Sequence, residues 1–410
     1  MNELEQILQT ACETTPVWQY EPAFTPTAEG FSGIQAVTYD GLTTKEGKTT
    51  TFAYLGIPES DTPVPAIVLV HGAGGDAYLP WVKMWMDRGY AAIAMSDRGH
   101  FPTCVNAGAK VPDDKSYCHG MYGDFVKDGY VDSPEEDGMK NADLPLEDRW
   151  IPHALVKVIH AHNLLRSLPQ VDNSKIGISG ISWGGVITSM VITHDTRFAF
   201  AVPVYGSGYL KLAPTCMGPR FQAAGNAAYL AEDGFNKVRI PVLWLAWNDD
   251  NNFIVTSNSE SYLATVKNNP KTRLSLVHNM GHDHPKGWGQ AVIDRFADWV
   301  INDGTPLVGF ATQPEGRNAT AILDIPKDVT DIQATLYWID APMTYSVHDK
   351  YHYEVPGLTF MDPVWQVSPA SISGNVLSAE LPENARGYYL EIRYDRGGRE
   401  IILTSVYVAI

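Results

Sequence analysis

Cysteine is scarce: Cys12, Cys104, Cys118 and Cys216 are the four in 410 residues, too few and too scattered for a disulfide framework or a zinc site with paired ligands. Cys104 and Cys118 are near enough to bridge within one loop, but reduced thiols are the default reading. Positive charge is also short, because 30 Lys and Arg stand against 47 Asp and Glu and leave a formal charge of −17. Such a surface repels phosphate backbones and anionic headgroups, so neither nucleic acid nor a membrane is an expected partner. No apolar run reaches the roughly 18 residues that cross a bilayer. The start, Met1-Asn2-Glu3-Leu4-Glu5-Gln6, lacks the basic and apolar regions of an export signal. A soluble, cytoplasmic protein is the expectation, with a trimmed exported chain as the alternative. No repeat or low-complexity tract stands out.

What is present is a folded composition, 44% hydrophobic and 19% charged, on a chain too long for one ordinary core. Between residues 30 and 305 short apolar runs alternate with loops and helix-like segments, which predicts an α/β sheet. Strands are expected at Gly33 to Tyr39, Thr50 to Leu55, Ala66 to Val70, Ala91 to Met95, Ile176 to Ile181, Phe198 to Val204, Val242 to Ala246 and Leu274 to Val277. The first two alternate around a Gly/Lys/Thr-rich turn and read as an antiparallel hairpin at the sheet edge. The later ones are continuous apolar runs, as parallel strands buried on both faces require. Helices are expected at Leu79 to Arg88, Ile151 to Leu168, after Ser182, and Gln290 to Ile301. The stretch 101–148 breaks the rhythm with Gly, Pro and Asp and reads as an insertion or lid. After about Gly304 only short strands remain, at Ala319 to Ile325, Ala334 to Trp338, Tyr388 to Tyr394 and Ile401 to Ala409. The expected organisation is an N-terminal extension over 1–30, an α/β domain over 31–304 and an immunoglobulin-like β-sandwich over 305–410.

Gly180-Ile181-Ser182-Trp183-Gly184 lies between the apolar strand Ile176 to Ser179 and the helix-like Val186 to Met190. Glycines on both sides permit the sharp strand-to-helix turn that lifts a serine hydroxyl out of a sheet. His71-Gly72-Ala73-Gly74-Gly75 follows another strand, and its N–H groups suit a developing oxyanion. The Trp183 and Ala73 amides are the expected pair, with Gly74 a rival to Ala73. No Gly-Lys-Ser/Thr follows the glycines, so a phosphate cradle is not the reading. Val242 to Ala246 leads into Trp247-Asn248-Asp249-Asp250, where Asp249 is the preferred acid and Asp250 the competitor. Thr272 to Val277 leads into His278-Asn279-Met280-Gly281-His282-Asp283-His284, where His282 is the preferred base and His284 the second choice. His278 is expected to pack or cap. A metal held by His282, Asp283 and His284 lacks any spaced partner cluster and is not expected. His160 and His162 lie about 200° apart around a helix, so they cannot share one ion.

Leu164-Leu165-Arg166-Ser167-Leu168-Pro169, Val171-Asp172, Lys175-Ile176-Gly177 and Gly180 to Gly185 resemble the acetyl xylan esterase and dienelactone hydrolase-like branch of the α/β hydrolases. Ala201-Val202-Pro203-Val204-Tyr205-Gly206 and His282-Asp283-His284 with Gly287-Trp288 carry the same resemblance. It covers residues 30 to 305 and borders the prolyl oligopeptidase catalytic domain. Asp97-Arg98-Gly99-His100 looks like the Asp-x-Arg-Gly loop of acetyl esterases, one residue shorter. The resemblance implies an α/β-hydrolase fold and a Ser182, Asp249, His282 triad with an oxyanion loop at His71 to Gly75. It also implies hydrolysis of a carboxylic ester, such as an acetyl group on a carbohydrate or other small molecule, through an acyl-enzyme and without a cofactor. A peptidase of the prolyl oligopeptidase type and a hydrolase-shaped binding protein are the rival readings. Trp150, Tyr205 and Trp247 are candidates to stack on a substrate ring, or else core. A homo-oligomer is compatible with everything above.

Overall fold

The computed structural model describes residues 2–27, 29–101, 129–213, 215, 217–341 and 364–410. Cys104, Cys118, Cys216 and most of the expected lid lie outside them; Cys12 is a free thiol. The chain forms two compact units, one of Met1–Pro203 with Ala223–Tyr229, the other of Val204–Gln222 with Leu230–Ile410.

The first unit carries strands β1 (Trp18–Tyr20), β2 (Ile34–Thr44), β3 (Gly47–Gly56), β4 (Val64–Val70), β5 (Ala91–Met95), β6 (Val171–Ile181) and the start of β7 (Phe200–Val204). Their order is β1-β2-β3-β5-β4-β6-β7. The pairs β1/β2, β2/β3 and β3/β5 are antiparallel, so the expected edge hairpin is present, with a short first strand added. The pairs β4/β5 and β4/β6 are parallel, and every residue of β5 is buried, which explains its unbroken apolar sequence.

Among the described residues four α-helices serve this unit: α1 (Glu3–Glu13), α2 (Leu79–Met86), α3 (Trp150–Ser167) and α4 (Trp183–Val191). The sequence reading has no α1, although Asn2 and Glu5 form a reciprocal capping box at its start. Its role explains α3, which is buried all round from Trp150 to Leu165 and not along one stripe. Asn163 Nδ2, on α3, donates to the Ala11 and Thr14 carbonyls, and Arg197 Nη1 donates to the Cys12 carbonyl. The Asn163 bonds hold the end of α1 against α3, and the Arg197 bond ties it to the turn after α4. His160 donates to the Asp40 carbonyl and His162 pairs with Asp195, two separate structural partners.

The second unit contains the end of β7, then β8 (Leu243–Trp247) and β9 (Arg273–Val277), all parallel. Helices α5 (Met217–Gln222), α6 (Val255–Val266), α7 (His284–Trp288) and α8 (Ala291–Ile301) accompany them. Helix α6, Val-Thr-Ser-Asn-Ser-Glu-Ser-Tyr, has no apolar stripe to read. Its buried Ser261 and Thr265 hydroxyls instead bond back to the carbonyls of Ser257 and Ser261.

The same unit holds an antiparallel sheet of β10 (Gly309–Phe310), β11 (Thr320–Asp324), β12 (Gln333–Ile339), β13 (Gln366–Ser373), β14 (Val376–Ala379), β15 (Gly387–Asp395), β16 (Glu400–Thr404) and β17 (Val408–Ala409). The order is β10-β11-β14-β13-β12-β15-β16, with β17 also on β15. The stretch expected as one strand over Ile401 to Ala409 is two. At the break Val406 N–H bonds the Gln313 side chain and Tyr407 N–H bonds Ser259 Oγ, so the ladder lapses there. No residue of β13 is buried, which is why its sequence gives no strand signal.

Strand β9 is tied to this sheet. Ser275 Oγ donates to the Ile402 carbonyl at 2.7 Å, and Leu276 N–H donates to Thr404 Oγ1 at 3.2 Å. The buried Arg273 guanidinium donates to the Leu307 and Val308 carbonyls, so its charge is satisfied by backbone that lies past the α/β part of the chain.

Candidate active site

Strand β6 ends at Ile181 and α4 begins at Trp183, leaving Ser182 alone at the turn with φ 57° and ψ −120°. A non-glycine residue with positive φ is strained, by an amount of order 1–3 kcal/mol, and persists only where its surroundings enforce it. Enforcement comes from the flanking glycines. A Cβ on Gly180 would sit 2.0 Å from the Gly184 carbonyl oxygen, and one on Gly184 would sit 2.1 Å from the Val70 carbonyl oxygen. Strand β4, the turn and the start of α4 therefore meet at backbone contact distance. The Trp183 amide is the first of α4 and directly follows Ser182 in the chain.

The loop His71 to Gly75 leaves the end of β4 in the same unit. His71 Nδ1 lies 2.8 Å from the Gly72 carbonyl, which can only accept, so Nδ1 carries the proton. Its Nε2 then accepts from Asp97 N–H at 3.0 Å. Burial is the main reason the His71 pKa falls to about 3, and the neutral ring is what both bonds need. Arg98 Nη2 donates to the Gly75 carbonyl at 2.8 Å, closing a second tie between the two loops. The Asp97-Arg98-Gly99-His100 segment thus braces the glycine loop. Lys157, 0% exposed in the middle of α3, supports the brace by donating from Nζ to the Asp97 carbonyl and to Ser133 Oγ. Burial lowers the Lys157 pKa and raises that of Asp97, while each charge favours the other. Helical periodicity marks 157 as polar, so nothing in the sequence shows that this lysine is internal. Of the two amides weighed beside the Trp183 amide, Gly74 N–H is taken by Glu136 Oε2 at 3.1 Å, while Ala73 lies on the exposed side of the loop.

These histidines carry a stability consequence. Burial is the leading cause in lowering the pKa of His71 to about 3 and of His153 to about 4, and it lowers His160 and His162 as well. A base whose pKa is depressed by folding stays neutral in the native state and takes a proton on unfolding. The histidine contribution is therefore full above pH 6.5 and falls as pH drops below it, by at most roughly 1.4 kcal/mol per pH unit for each histidine. Asp97, raised by burial to about 7, works in the opposite sense by one proton, while Lys157, lowered by burial to about 7, works in the same sense as the histidines, so the histidines prevail. Urea unfolding should show a lower midpoint at pH 5 than at pH 7.5; an equal or higher one would contradict the assignment.

In the second unit His282 lies just past β9, with Nδ1 2.6 Å from Asp250 Oδ2. The carboxylate that meets the histidine is thus Asp250 and not Asp249, the residue preferred from its place after the strand. The reason is local: Asp250 Oδ1 accepts from Asn252 N–H at 2.9 Å and Phe253 N–H at 3.1 Å, which fixes the carboxylate in an Asx turn. Asp250 is 2% exposed and the His282 ring 29%, so the acid is enclosed and the base opens outward. With the proton on Nδ1 held by the acid, the lone pair of the neutral ring is on Nε2. The rings of Tyr205 and Phe253 lie nearly parallel to His282 at 4.5 and 5.8 Å between centroids. Tyr205 is itself fixed by donating from its hydroxyl to the Gly281 carbonyl at 2.6 Å. His284, the second choice for base, opens α7 with its ring 6.1 Å from that of Trp288. His278 packs on Tyr337 at 5.1 Å, as expected of a structural side chain.

The aromatic candidates separate. Trp150 and Tyr205 are wholly buried, Trp150 against Trp183 in an edge-to-face pair at 5.5 Å and Tyr205 beneath His282. Neither offers a face to a ligand, and both are core, the other fate weighed for them. Trp247, at the end of β8, is partly exposed.

The profile of the dienelactone hydrolase family matches residues 52–285. No sequence among curated proteins matches the chain. Among solved structures, the acetyl xylan esterase from Paenibacillus sp. R4 is similar at TM-score 0.52 and 17% identity, covering 73% of this chain and 95% of that one. Acetyl xylan esterase 1 from Thermoanaerobacterium sp. JW/SL YS485 is similar at TM-score 0.51 and 14% identity, covering 72% and 93%. At such identities the likeness establishes the α/β-hydrolase fold, to which the parallel strands and flanking helices of the two units conform. Among the described residues no helix is long and apolar enough to cross a membrane.

Proposed function

Because the chain belongs to the dienelactone hydrolase family, we propose that this hydrolase is a serine esterase with Ser182 as nucleophile, His282 as base and Asp250 as acid. The observation that carries the reading is the 2.6 Å bond from His282 Nδ1 to an enclosed Asp250. It sets the one tautomer in which Nε2 carries the lone pair that can accept a proton. His282 Nε2 takes the Ser182 proton as Oγ attacks the ester carbonyl. The amides of Trp183 and Ala73 hold the oxyanion, a donor pair in which each N–H is worth roughly 3 to 4 kcal/mol in the transition state. The imidazolium returns its proton to the leaving alkoxide, and water, activated by the same Nε2, releases the acyl group. No cofactor or metal enters this chemistry.

A short acyl group, such as acetyl on a carbohydrate or other small molecule, is the proposed substrate. The named activity of the two structural neighbours and the part-exposed Trp247 support it. A fluorophosphonate should label the protein one to one, and the label should map to the peptide that contains Ser182. The protein should also hydrolyse acetylated sugars and aryl acetates faster than peptide amides. Label on another residue, or none together with no ester turnover, rules the reading out; faster amide cleavage makes the protein a peptidase.

A further inference from the structure

We infer that Tyr389, in the all-β part of the second unit, positions the Asp250–His282 pair through Asn248 and His278. The inference rests on the esterase reading for its consequence in turnover, but its geometry is independent of it. Asn248 is fully buried, two residues before Asp250, and its Nδ2 bonds Tyr389 Oη at 3.2 Å and His278 Nδ1 at 3.2 Å. Its own N–H bonds the Val277 carbonyl at 3.3 Å. One asparagine therefore ties the ends of β8 and β9, the two strands whose loops deliver the acid and the base.

The protons can be placed. With both Nδ2 hydrogens donated, His278 Nδ1 must accept, so its ring is neutral with the proton on Nε2. Burial lowers the His278 pKa, in agreement with that state. Tyr389 is wholly buried, and burial holds its phenol well above the usual range, so it stays protonated while its oxygen accepts from Asn248. The ring cannot drift: it stacks on Tyr337 at 5.1 Å and 10°, and meets Trp365 edge-on at 5.1 Å. Tyr337 in turn packs on His278. The loop-bearing ends of two α/β strands are thus registered against one rigid aromatic cluster of the antiparallel sheet.

Tyr388 supplies the comparison. It is as buried as its neighbour, yet its hydroxyl has no hydrogen-bond partner among the described residues. Tyr389→Phe keeps the stacked ring and deletes the single hydroxyl, so it should lower kcat about tenfold and leave KM within about twofold, the pattern of a lost transition-state alignment. Tyr388→Phe should leave both constants unchanged at a similar unfolding midpoint. In an Asn248→Ala background, Tyr389→Phe should cost nothing further, because the two act through one bond. A second readout needs no turnover: the low-field proton signal of His282 Nδ1–H should broaden or move upfield in Tyr389→Phe and stay put in Tyr388→Phe. Unchanged kcat and an unchanged His282 signal in Tyr389→Phe, or an effect of equal size in the Asn248→Ala background, would overturn the inference. Should wild type fail to turn over any ester, the esterase reading fails, and the His282 signal alone decides whether Tyr389 positions the pair.

Discussion

Ser182→Ala is expected to abolish fluorophosphonate labelling and to lower kcat on an aryl acetate by about a millionfold, with the unfolding free energy within about 1 kcal/mol of wild type. The size follows from what the hydroxyl does. Without Oγ no acyl-enzyme forms, and direct attack by water keeps only the help of the oxyanion donors and of binding. Stability should barely change because alanine meets the same φ of 57° as serine does, so the strain at the turn is retained. The activity must be measured by active-site titration alongside turnover, since a trace of wild-type enzyme would mask a loss of this size. A variant that keeps more than about one per cent of kcat would show that Ser182 is not the nucleophile.

Asp250→Asn is expected to lower kcat about ten-thousandfold while Asp249→Asn changes it by less than tenfold. An asparagine at 250 can present its amide nitrogen to His282 Nδ1, which reverses the tautomer and puts the proton on Nε2, where the lone pair is needed. The geometry of the site survives and the chemistry stops. Asp249 is half-buried beside the same turn, but His282 bonds Asp250. The reverse ranking of the two variants would restore Asp249 as the acid.

The comparison of those aspartates shows what a sequence can carry. Ser182 is legible because its requirement is steric and local: Gly180 and Gly184 must lack a Cβ for backbones to meet, and that demand is written in the pentapeptide. Strand β5 and the second half of β6, from Ile176 to Ile181, are legible because burial on both faces leaves little room for polar residues. Asp249 and Asp250 differ in one thing, which carboxylate the turn at Asn252 and Phe253 immobilises, and neighbouring acids in one polar stretch look alike. An Asp followed two positions on by Asn is a turn signal, but both aspartates carry it, Asp249 with Asn251 and Asp250 with Asn252, so it does not choose between them. Lys157 is illegible for the opposite reason. Its partners, Asp97 and Ser133, come from two distant loops, so a buried ammonium reads as one more polar position on a helix. Tyr389 and Asn248 lie 141 residues apart, and no periodicity connects them. Helix α1 is illegible although its capping box stands in the sequence, because its packing partner α3 is buried all round and not along one stripe.

Arg273 sharpens where this protein divides. The hydrophobic rhythm changes near Gly304, and a reader of the sequence would cut there. Yet the guanidinium on β9 donates to the carbonyls of Leu307 and Val308, and the second compact unit takes in Leu230–Ile410 on both sides of that change. A change in architecture is therefore not a boundary between compact units. The antiparallel sheet is no detachable appendage; it is hydrogen-bonded to β9, beside the strand end that leads to His282.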